Sequence, residues 1–238
     1  MKVLKTSRKF HRWLMLFLGL QFLIWSISGA YMVIFDIDYI HGDSLVVNHQ
    51  TKVDANKLTY PLSLLRQVYP DAQSISVEVF IDQVVYRFSE NDKKVVVSAS
   101  DGKQLSPLNN NEAIRVAKHY YSGDGKVTDS ELITENPPFE LSSRSLPAWR
   151  VNFDDLGSPS IYISAETGEL VSKRHEFWRV FDLMFSLHVM DYEEEDPSNK
   201  LLFWFAIFSI IASIFGGVLS YFVIFKRSNP NTILGGTK

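Results

Sequence analysis

Residues 201–225, LLFWFAIFSIIASIFGGVLSYFVIF, decide the fold, because this long apolar run contains no charged side chain. A second uncharged apolar run, WLMLFLGLQFLIWSISGAYMVIF, occupies residues 13–35. A helix needs about 20 apolar residues to cross the roughly 30 Å hydrocarbon core of a bilayer, and each run is longer than that. The sequence therefore predicts an integral membrane protein with two transmembrane helices in contact with the lipid bilayer.

The run at residues 13–35 has a second interpretation as a cleaved signal peptide. Lys and Arg residues precede it, and Ser28-Gly29-Ala30 has the small-x-small pattern of a cleavage site. The run continues beyond Ala30 to Phe35, however, and its aromatic content is high for a signal core. We therefore favour a transmembrane helix.

Both terminal tails are basic, and neither contains an acidic residue. The basic residues are Lys2, Lys5, Arg8, Lys9 and Arg12 before the first run, and Lys226, Arg227 and Lys238 after the second. Because cytoplasmic flanks are enriched in Lys and Arg, we expect residues 1–12 and 226–238 to be cytoplasmic tails. The segment between the two runs would then be periplasmic, with the helices in the cytoplasmic (inner) membrane of a bacterium.

Several classes of function are not indicated. The chain contains no cysteine, which excludes disulfides, thiol catalysis and thiolate ligands. It contains no HExxH, GxSxG, phosphate-loop or dinucleotide-binding motif, which argues against a hydrolase or a nucleotide-dependent enzyme. Acidic residues outnumber basic ones between the apolar runs, and no basic patch there indicates nucleic-acid binding.

Two stretches between the runs resemble each other and predict β-hairpins. They are VVYRFSENDKKVVVSASDGKQL at residues 84–105 and PAWRVNFDDLGSPSIYISAETGEL at residues 147–170. Each begins with an aromatic-Arg pair and ends at a turn that contains glycine. Apolar residues at helical spacing precede each hairpin, in residues 61–68 and 111–121. We therefore predict an α+β domain of two helix plus antiparallel-strand units, residues 41–106 and 107–172.

Three motifs together resemble a known family, the PepSY-associated transmembrane proteins, often called iron-regulated membrane proteins. The motifs are RKFHRWLMLFLGL with WSISGAYM, the turns SASDGKQL and ISAETGEL, and FWRVFDLMFSLHVMDY. Some larger members look like periplasmic ferric-siderophore reductases. The resemblance implies PepSY units outside the cytoplasm and, in the reductase branch, histidine-ligated haem b that carries electrons across the membrane. This chain has one pair of spans where those reductases have two, which makes it a half-size relative.

Two histidines near the spans, His11 and His188, are the candidate ligands of haem iron. Iron held by two histidines needs one imidazole on each face of the ring. His11 lies at the cytoplasmic end of the first span and shares a helix face with Gly19, which would leave room for a flat ring; His188 lies near the outer end of the second. Separated by about a bilayer thickness, they cannot bind one iron. The site would therefore need a homodimer, pairing His11 with His11 or His188 with His188, or a partner membrane subunit.

Each part of this hypothesis has a simpler alternative. His11 would also suit a helix end held among lipid phosphates, because Arg8, Lys9 and Arg12 flank it. Two rows of small residues on the second span could serve association of chains or packing within one chain. The rows are Ala212, Gly216 and Ser220, and Ser209, Ser213 and Gly217.

His188 belongs to a predicted amphipathic juxtamembrane helix at residues 173–190. Phe177, Phe181, Met184 and His188 form one stripe of this helix, which would lie on the membrane surface or against the PepSY domain. Only a neutral imidazole can bind iron, and the acidic residues that follow, Asp191 and residues 193–196, act against that form. The remaining histidines, His41, His49, His119 and His175, are predicted to be ordinary surface residues.

Two hypotheses of function follow from these observations. The first is a haem-binding electron-transfer subunit that helps to reduce ferric iron or a ferric chelate outside the cytoplasmic membrane. The second is a non-enzymatic binding or regulatory membrane protein, whose PepSY units contact a partner protein such as a peptidase.

Overall fold

The computed structural model describes residues 2–49, 52–192 and 199–224. The chain divides into two compact units, which we call the helical unit (Met1–Phe35 with Phe181–Lys238) and the sheet unit (Asp36–Val180). The predicted tail at residues 226–238 and the acidic run at residues 193–196 lie outside the described residues.

The order of the elements places helices at both ends of the described chain and two groups of strands between them. The elements are α1 (Lys2–Ile34), α2 (Ile37–Ile40), α3 (Leu62–Val68), β1 (Gln73–Phe80), β2 (Gln83–Glu90), β3 (Lys93–Ser98), α4 (Asn110–Tyr120), β4 (Val127–Ile133), β5 (Ala148–Phe153), β6 (Ser160–Ser164), β7 (Leu170–Arg174), α5 (Glu176–Val189) and α6 (Lys200–Ile224). Helix α1 begins well before the predicted span, so residues 2–12 are helical. Helix α5 begins after residue 173, because β7 continues to Arg174 and pairs with β6.

In the helical unit, α1 and α6 pack against each other in antiparallel directions. Phe10 stacks on Phe215 near one end, with ring centroids 5.6 Å apart, and Trp25 packs edge-on against Phe205 near the other, at 5.2 Å. Lys5–Ile34 and Lys200–Ile224 are long and apolar enough to cross a membrane. Most of their apolar side chains remain exposed, for example Phe22 at 68%. Apolar helices exposed in this way suggest a membrane protein.

The sheet unit contains two antiparallel sheets. The first has the strand order β1-β2-β3 and the second has the order β4-β5-β6-β7. Helix α3 covers one face of the first sheet, where Leu65 packs with Val84, Tyr86 and Val97. The opposite face shares the largest core with α4 and the second sheet, through residues such as Val85, Val116 and Ile161. Strands β2 and β3 carry consecutive apolar residues, such as Val84 with Val85 and Val96 with Val97, so they are buried on both faces of the first sheet.

The start of α4 shows how local sequence fixes these elements. The Asn109 side chain accepts the N–H of Glu112 at 3.1 Å, and the Glu112 carboxylate accepts the N–H of Asn109 at 2.9 Å. This reciprocal capping box satisfies two backbone donors at the first turn. One face of α4 then places Ala113, Val116 and Ala117 in the core.

The two sheets repeat the same hairpin in the same register. Tyr86 lies opposite Val97 in the first sheet, and Trp149 lies opposite Ile163 in the second. The Tyr86 hydroxyl donates to the carbonyl of Tyr60 at 2.8 Å, and the Trp149 indole N–H donates to that of Leu108 at 3.0 Å. Tyr60 and Leu108 each donate their own N–H to an alanine carbonyl, at 2.9 and 2.7 Å. The two stretches that resemble each other in sequence therefore make equivalent hydrogen bonds at equivalent positions.

Candidate functional site

The first candidate ligand, His11, is held between α1 and α6. Its Nδ1 lies 3.2 Å from the carbonyl oxygen of Ala212. A carbonyl oxygen can only accept, so Nδ1 carries the proton and Nε2 keeps its lone pair in the neutral ring. A Cβ added at Gly216 would lie 3.0 Å from Cε1 of His11, so the ring occupies the space that this glycine leaves. Gly19, where the sequence predicts room for a flat ring or a close neighbour, lines the adjoining groove, and an added Cβ there would meet nothing within 4 Å.

His11 also lines a groove of about 320 Å³ between the two helices. The groove is largely apolar, and its other lining residues are Met15, Leu18, Gly19, Phe22, Trp25, Phe205, Ser209, Ala212 and Ser213. The two serine hydroxyls donate to carbonyls of their own helix, at 2.9 and 2.8 Å. The His11 imidazole is therefore the polar group in this lining that offers a nitrogen lone pair.

The second candidate, His188, packs against the other half of α1. Its Nδ1 lies 2.9 Å from the Ser28 hydroxyl, and the Trp25 indole donates to its carbonyl at 2.7 Å. The single hydroxyl proton of Ser28 is donated to Ile24 at 2.8 Å, so Nδ1 of His188 is the donor to Ser28. The ring also lies against Gly29, whose added Cβ would be 3.3 Å from Cε1. His188 thus resembles His11: its ring packs against a glycine, and its Nδ1 has a hydrogen-bond partner.

The two histidines are far apart. Ser28, which bonds His188, and His11 both lie on α1, separated by 17 positions and thus by about 26 Å at 1.5 Å per residue. One iron atom cannot bind both. In the described part of the chain, no group of three or more His, Cys, Asp or Glu side chains could hold a metal ion. Iron held by two histidines at either position would need its second histidine from another chain.

The surroundings of His11 fit one axial bond to a haem. The ring is fixed by its Nδ1–H, its Nε2 is unprotonated in the neutral form, and the adjoining groove is apolar. His188 has a comparable hydrogen bond, but its ring is held among Ser28, Gly29 and Trp25. His11 is therefore the better-placed of the two predicted ligands.

One of the four histidines predicted on the surface is buried. His175 is only 1% exposed, and its Nε2 donates to the Tyr39 carbonyl at 2.9 Å. The prediction is wrong for this residue because its position between β7 and α5 brings it under the chain that follows α1. His41 and His49 are exposed, and the rings of His49 and His119 stack with centroids 3.9 Å apart.

The sheet unit contains a buried ion pair that the sequence did not indicate. Glu140, whose side chain is 3% exposed, accepts from Nε and Nη2 of Arg179 at 2.7 and 2.8 Å and from the hydroxyl of Tyr162. Burial alone would raise the pKa of Glu140, but these hydrogen bonds outweigh burial and lower it. They also raise the pKa of Arg179. Ion pairing across 39 residues leaves no local pattern in the sequence.

This pair lines an open groove of about 550 Å³ with Phe139, Arg150 and Asn152. Arg179 also contacts Glu176 and Ser160, and Arg150 pairs with Glu131 at 2.8 Å. The charged groups of the groove thus bond mainly to one another. We assign this cluster a structural role, in which it fixes the first turn of α5 on the sheet unit.

Comparisons with known proteins identify one part of the chain. Residues 107–174 match the PepSY family, described as "Peptidase propeptide and YPEB domain". The match contains α4 and the whole second sheet, β4 to β7. No curated protein and no solved structure matches the chain. The protein therefore contains a PepSY domain at residues 107–174, between two apolar helices that suggest a membrane protein.

Proposed function

We propose that this protein is a haem-binding electron-transfer subunit of the bacterial cytoplasmic membrane, linked to the reduction of ferric iron or a ferric chelate. The observation that carries the proposal is the setting of His11, whose Nδ1–H is bonded to the Ala212 carbonyl beside an apolar groove. Histidines that bind metals almost always donate their other N–H to a carbonyl, carboxylate or water. The resemblance to iron-regulated membrane proteins supplies the expected cofactor, haem b.

In this proposal, His11 would hold the haem iron through Nε2, and the largely apolar groove beside it would contact the haem. A bound haem would supply one-electron chemistry that the side chains of this chain lack. The chain's own contribution is to orient His11 through Ala212 and to leave space at Gly216. The contact with Ala212 places the proton of the neutral ring on Nδ1, which leaves the lone pair on Nε2.

The second axial ligand would come from a second copy of the chain or from a partner subunit. Ala212 and Gly216 face His11 within one chain, and Ser209 and Ser213 of the neighbouring row on α6 line the same groove. That row includes Gly217, which has no atom within 4 Å of an added Cβ. Small residues at a spacing of four allow a further helix to approach closely. Pairing of two His11 side chains is the arrangement we favour, and pairing of two His188 side chains is the alternative.

The experiment is a measurement of haem content on the full chain, purified in mild detergent from haem-supplemented cells. We expect one haem per two chains if two His11 side chains bind it. Gly216→Val should lower the haem content severalfold, because its side chain would displace the His11 ring, while Ile211→Val, exposed on another face of α6, should not. Equal haem content in both variants, or a haem-free wild type, would count against the proposal.

A second candidate is a non-enzymatic binding or regulatory membrane protein. The observation that favours it is the PepSY match at residues 107–174, whose description refers to peptidase propeptides. In this case the PepSY domain, for which the basic tails predict a periplasmic location, would contact a peptidase or another protein. Crosslinking in cells from the exposed edge strand β4 tests this candidate. A haem-free protein that is crosslinked to one defined partner would favour it, whereas absence of any partner would argue against it.

A further inference from the structure

A buried histidine joins the two chain segments that connect the sheet unit to the rest of the protein. His175 directly precedes α5, and its carbonyl accepts the N–H groups of Trp178 and Arg179 at 2.9 and 3.2 Å. Its Nε2 lies 2.9 Å from the carbonyl of Tyr39 in α2. Helix α2 begins three residues after the end of α1, and α5 continues beyond the sheet unit at Val180. The chain segment that enters the sheet unit and the segment that leaves it are therefore joined by a hydrogen bond from the His175 side chain.

Packing around this imidazole is tight and largely aromatic. The rings of Tyr39 and Phe177 lie with centroids 5.1 and 5.8 Å from it, and 5.5 Å from each other. An added Cβ at Gly157 would be 3.5 Å from Cβ of His175. The N–H of Glu176 donates to the Gly157 carbonyl at 2.7 Å, which holds the loop against the start of α5. These contacts leave His175 1% exposed.

In the described part of the chain, only one of the two ring nitrogens of His175 has a hydrogen-bond partner. The Tyr39 carbonyl can only accept, so Nε2 carries the proton of the neutral imidazole. Nδ1 is buried and has no hydrogen-bond partner within the described part of the chain. A second proton on Nδ1 would therefore create a buried cation with an unsatisfied donor, which costs free energy unless the site opens to water.

We propose that His175 is an acid-sensitive latch, which holds α2 against the first turn of α5 while it is neutral and releases this contact when it becomes protonated. The proposal does not depend on haem binding. It concerns only residues of the sheet unit and assigns them a response to the pH of the surrounding compartment.

The charges around the latch favour this direction. Burial lowers the pKa of His175, the Tyr39 carbonyl raises it in part, and Arg179 and Arg174 lower it further, against an opposite effect of Glu176. The other acidic groups on the surrounding elements are Asp36 and Asp38 of α2, Asp43 after it, and Asp155 beside Gly157. Of these, Asp36 accepts backbone N–H groups of α2, Asp43 pairs with Lys173, and Asp155 accepts from Tyr121. None of them contacts Nδ1 of His175.

The sign of the pH effect follows from linkage. An exposed histidine has a pKa near 6.5, and that of His175 in the closed latch is lower. Above about pH 6.5 both the closed and the open states are neutral, so the latch has its full stability. As the pH falls below that value, the open state takes up a proton more readily, and opening becomes up to about tenfold more favourable per pH unit. The effect ends below the pKa of the closed state.

The test is hydrogen exchange of the full chain in detergent at pH 7.5, 6.5 and 5.5, corrected for the intrinsic pH dependence of exchange. In the wild type, protection of residues 37–42 and 175–180 should fall severalfold, and at most about tenfold, between pH 6.5 and 5.5. Amides of β6 should not change. His175→Gln keeps a side-chain donor for Tyr39 but cannot be protonated, so its exchange should not respond to pH in this range.

A double variant, His49→Gln with His119→Gln, is the matched control, because it removes two other titratable histidines of the sheet unit and leaves the latch intact. It should respond to pH as the wild type does. An unresponsive wild type, a response that persists in His175→Gln, or a response lost in the double variant would each overturn the proposal. If His175→Gln does not fold, His41→Gln decides the question, because His41 is the other histidine in the monitored segments: this variant should respond to pH as the wild type does, and loss of the response would overturn the proposal.

Discussion

Glu140→Leu is expected to destabilise the sheet unit by about 3 kcal/mol. Removal of one partner from a buried ion pair typically costs about 3–5 kcal/mol, since the other charge stays buried. The lower end applies here, because the Arg179 side chain is 23% exposed and keeps its contact with Glu176 at 2.7 Å. The Tyr162 hydroxyl also loses its acceptor, which adds to the cost. The assay is hydrogen exchange of the slowest amides in β5 and β6, which should exchange about a hundredfold faster.

Two further variants distinguish the free-energy cost of an unpaired buried charge from the cost of a lost contact. In the double variant Glu140→Leu with Arg179→Met, no buried charge remains unpaired, because Glu176, which also loses Arg179, is 57% exposed. This protein should therefore be more stable than Glu140→Leu alone. Glu131→Gln removes a partner of Arg150 that is 54% exposed, and it should cost less than about 1 kcal/mol. The reasoning is refuted if Glu140→Leu costs no more than Glu131→Gln, or if the double variant is less stable than the single one.

Three further substitutions test the turns and the repeat. Gly168→Ala should destabilise the sheet unit by about 1–3 kcal/mol in urea unfolding, because the residue has a φ of 70° and an added Cβ would clash with the Phe80 ring. Gly19→Ala is the control, because an added Cβ there meets open space. Equal stability of the two variants would contradict the prediction. Tyr86→Phe should cost about 1 kcal/mol, since it removes one hydrogen bond to a backbone carbonyl. Trp149→Phe should cost more, because it removes such a hydrogen bond and also part of a ring that packs against the core. A loss in Trp149→Phe no larger than that in Tyr86→Phe would contradict this expectation.

Elements with a strong local signal could be predicted from the sequence. The apolar runs at residues 13–35 and 201–225 correspond to α1 and α6, and the similar stretches at residues 84–105 and 147–170 correspond to hairpins in one register. Periodicity and composition act over a few residues, so they are visible without knowledge of the fold. The end of the strand at Arg174 was less clear, because residues 170–174 alternate only weakly before the amphipathic pattern of α5 begins.

The side-chain environments depended on tertiary contacts that the sequence does not display. His175 was predicted to be an ordinary surface residue because it lies outside the apolar runs, and it is buried by Tyr39, which lies 136 residues away. Glu140 and Arg179 are likewise far apart in the sequence, so no local pattern predicts their ion pair. Helical spacing identified the row of small residues on α6 that includes Gly216. It did not show that the His11 side chain would contact this face of α6. Geometry of this kind requires the folded chain.

The most direct test of the proposed function is the visible spectrum of the full chain, purified in mild detergent from haem-supplemented cells and recorded oxidised and reduced. Our account predicts a sharp Soret band in the wild type that His11→Ala removes and His188→Ala retains. A colourless wild-type protein, or a Soret band that persists unchanged in His11→Ala, would contradict it.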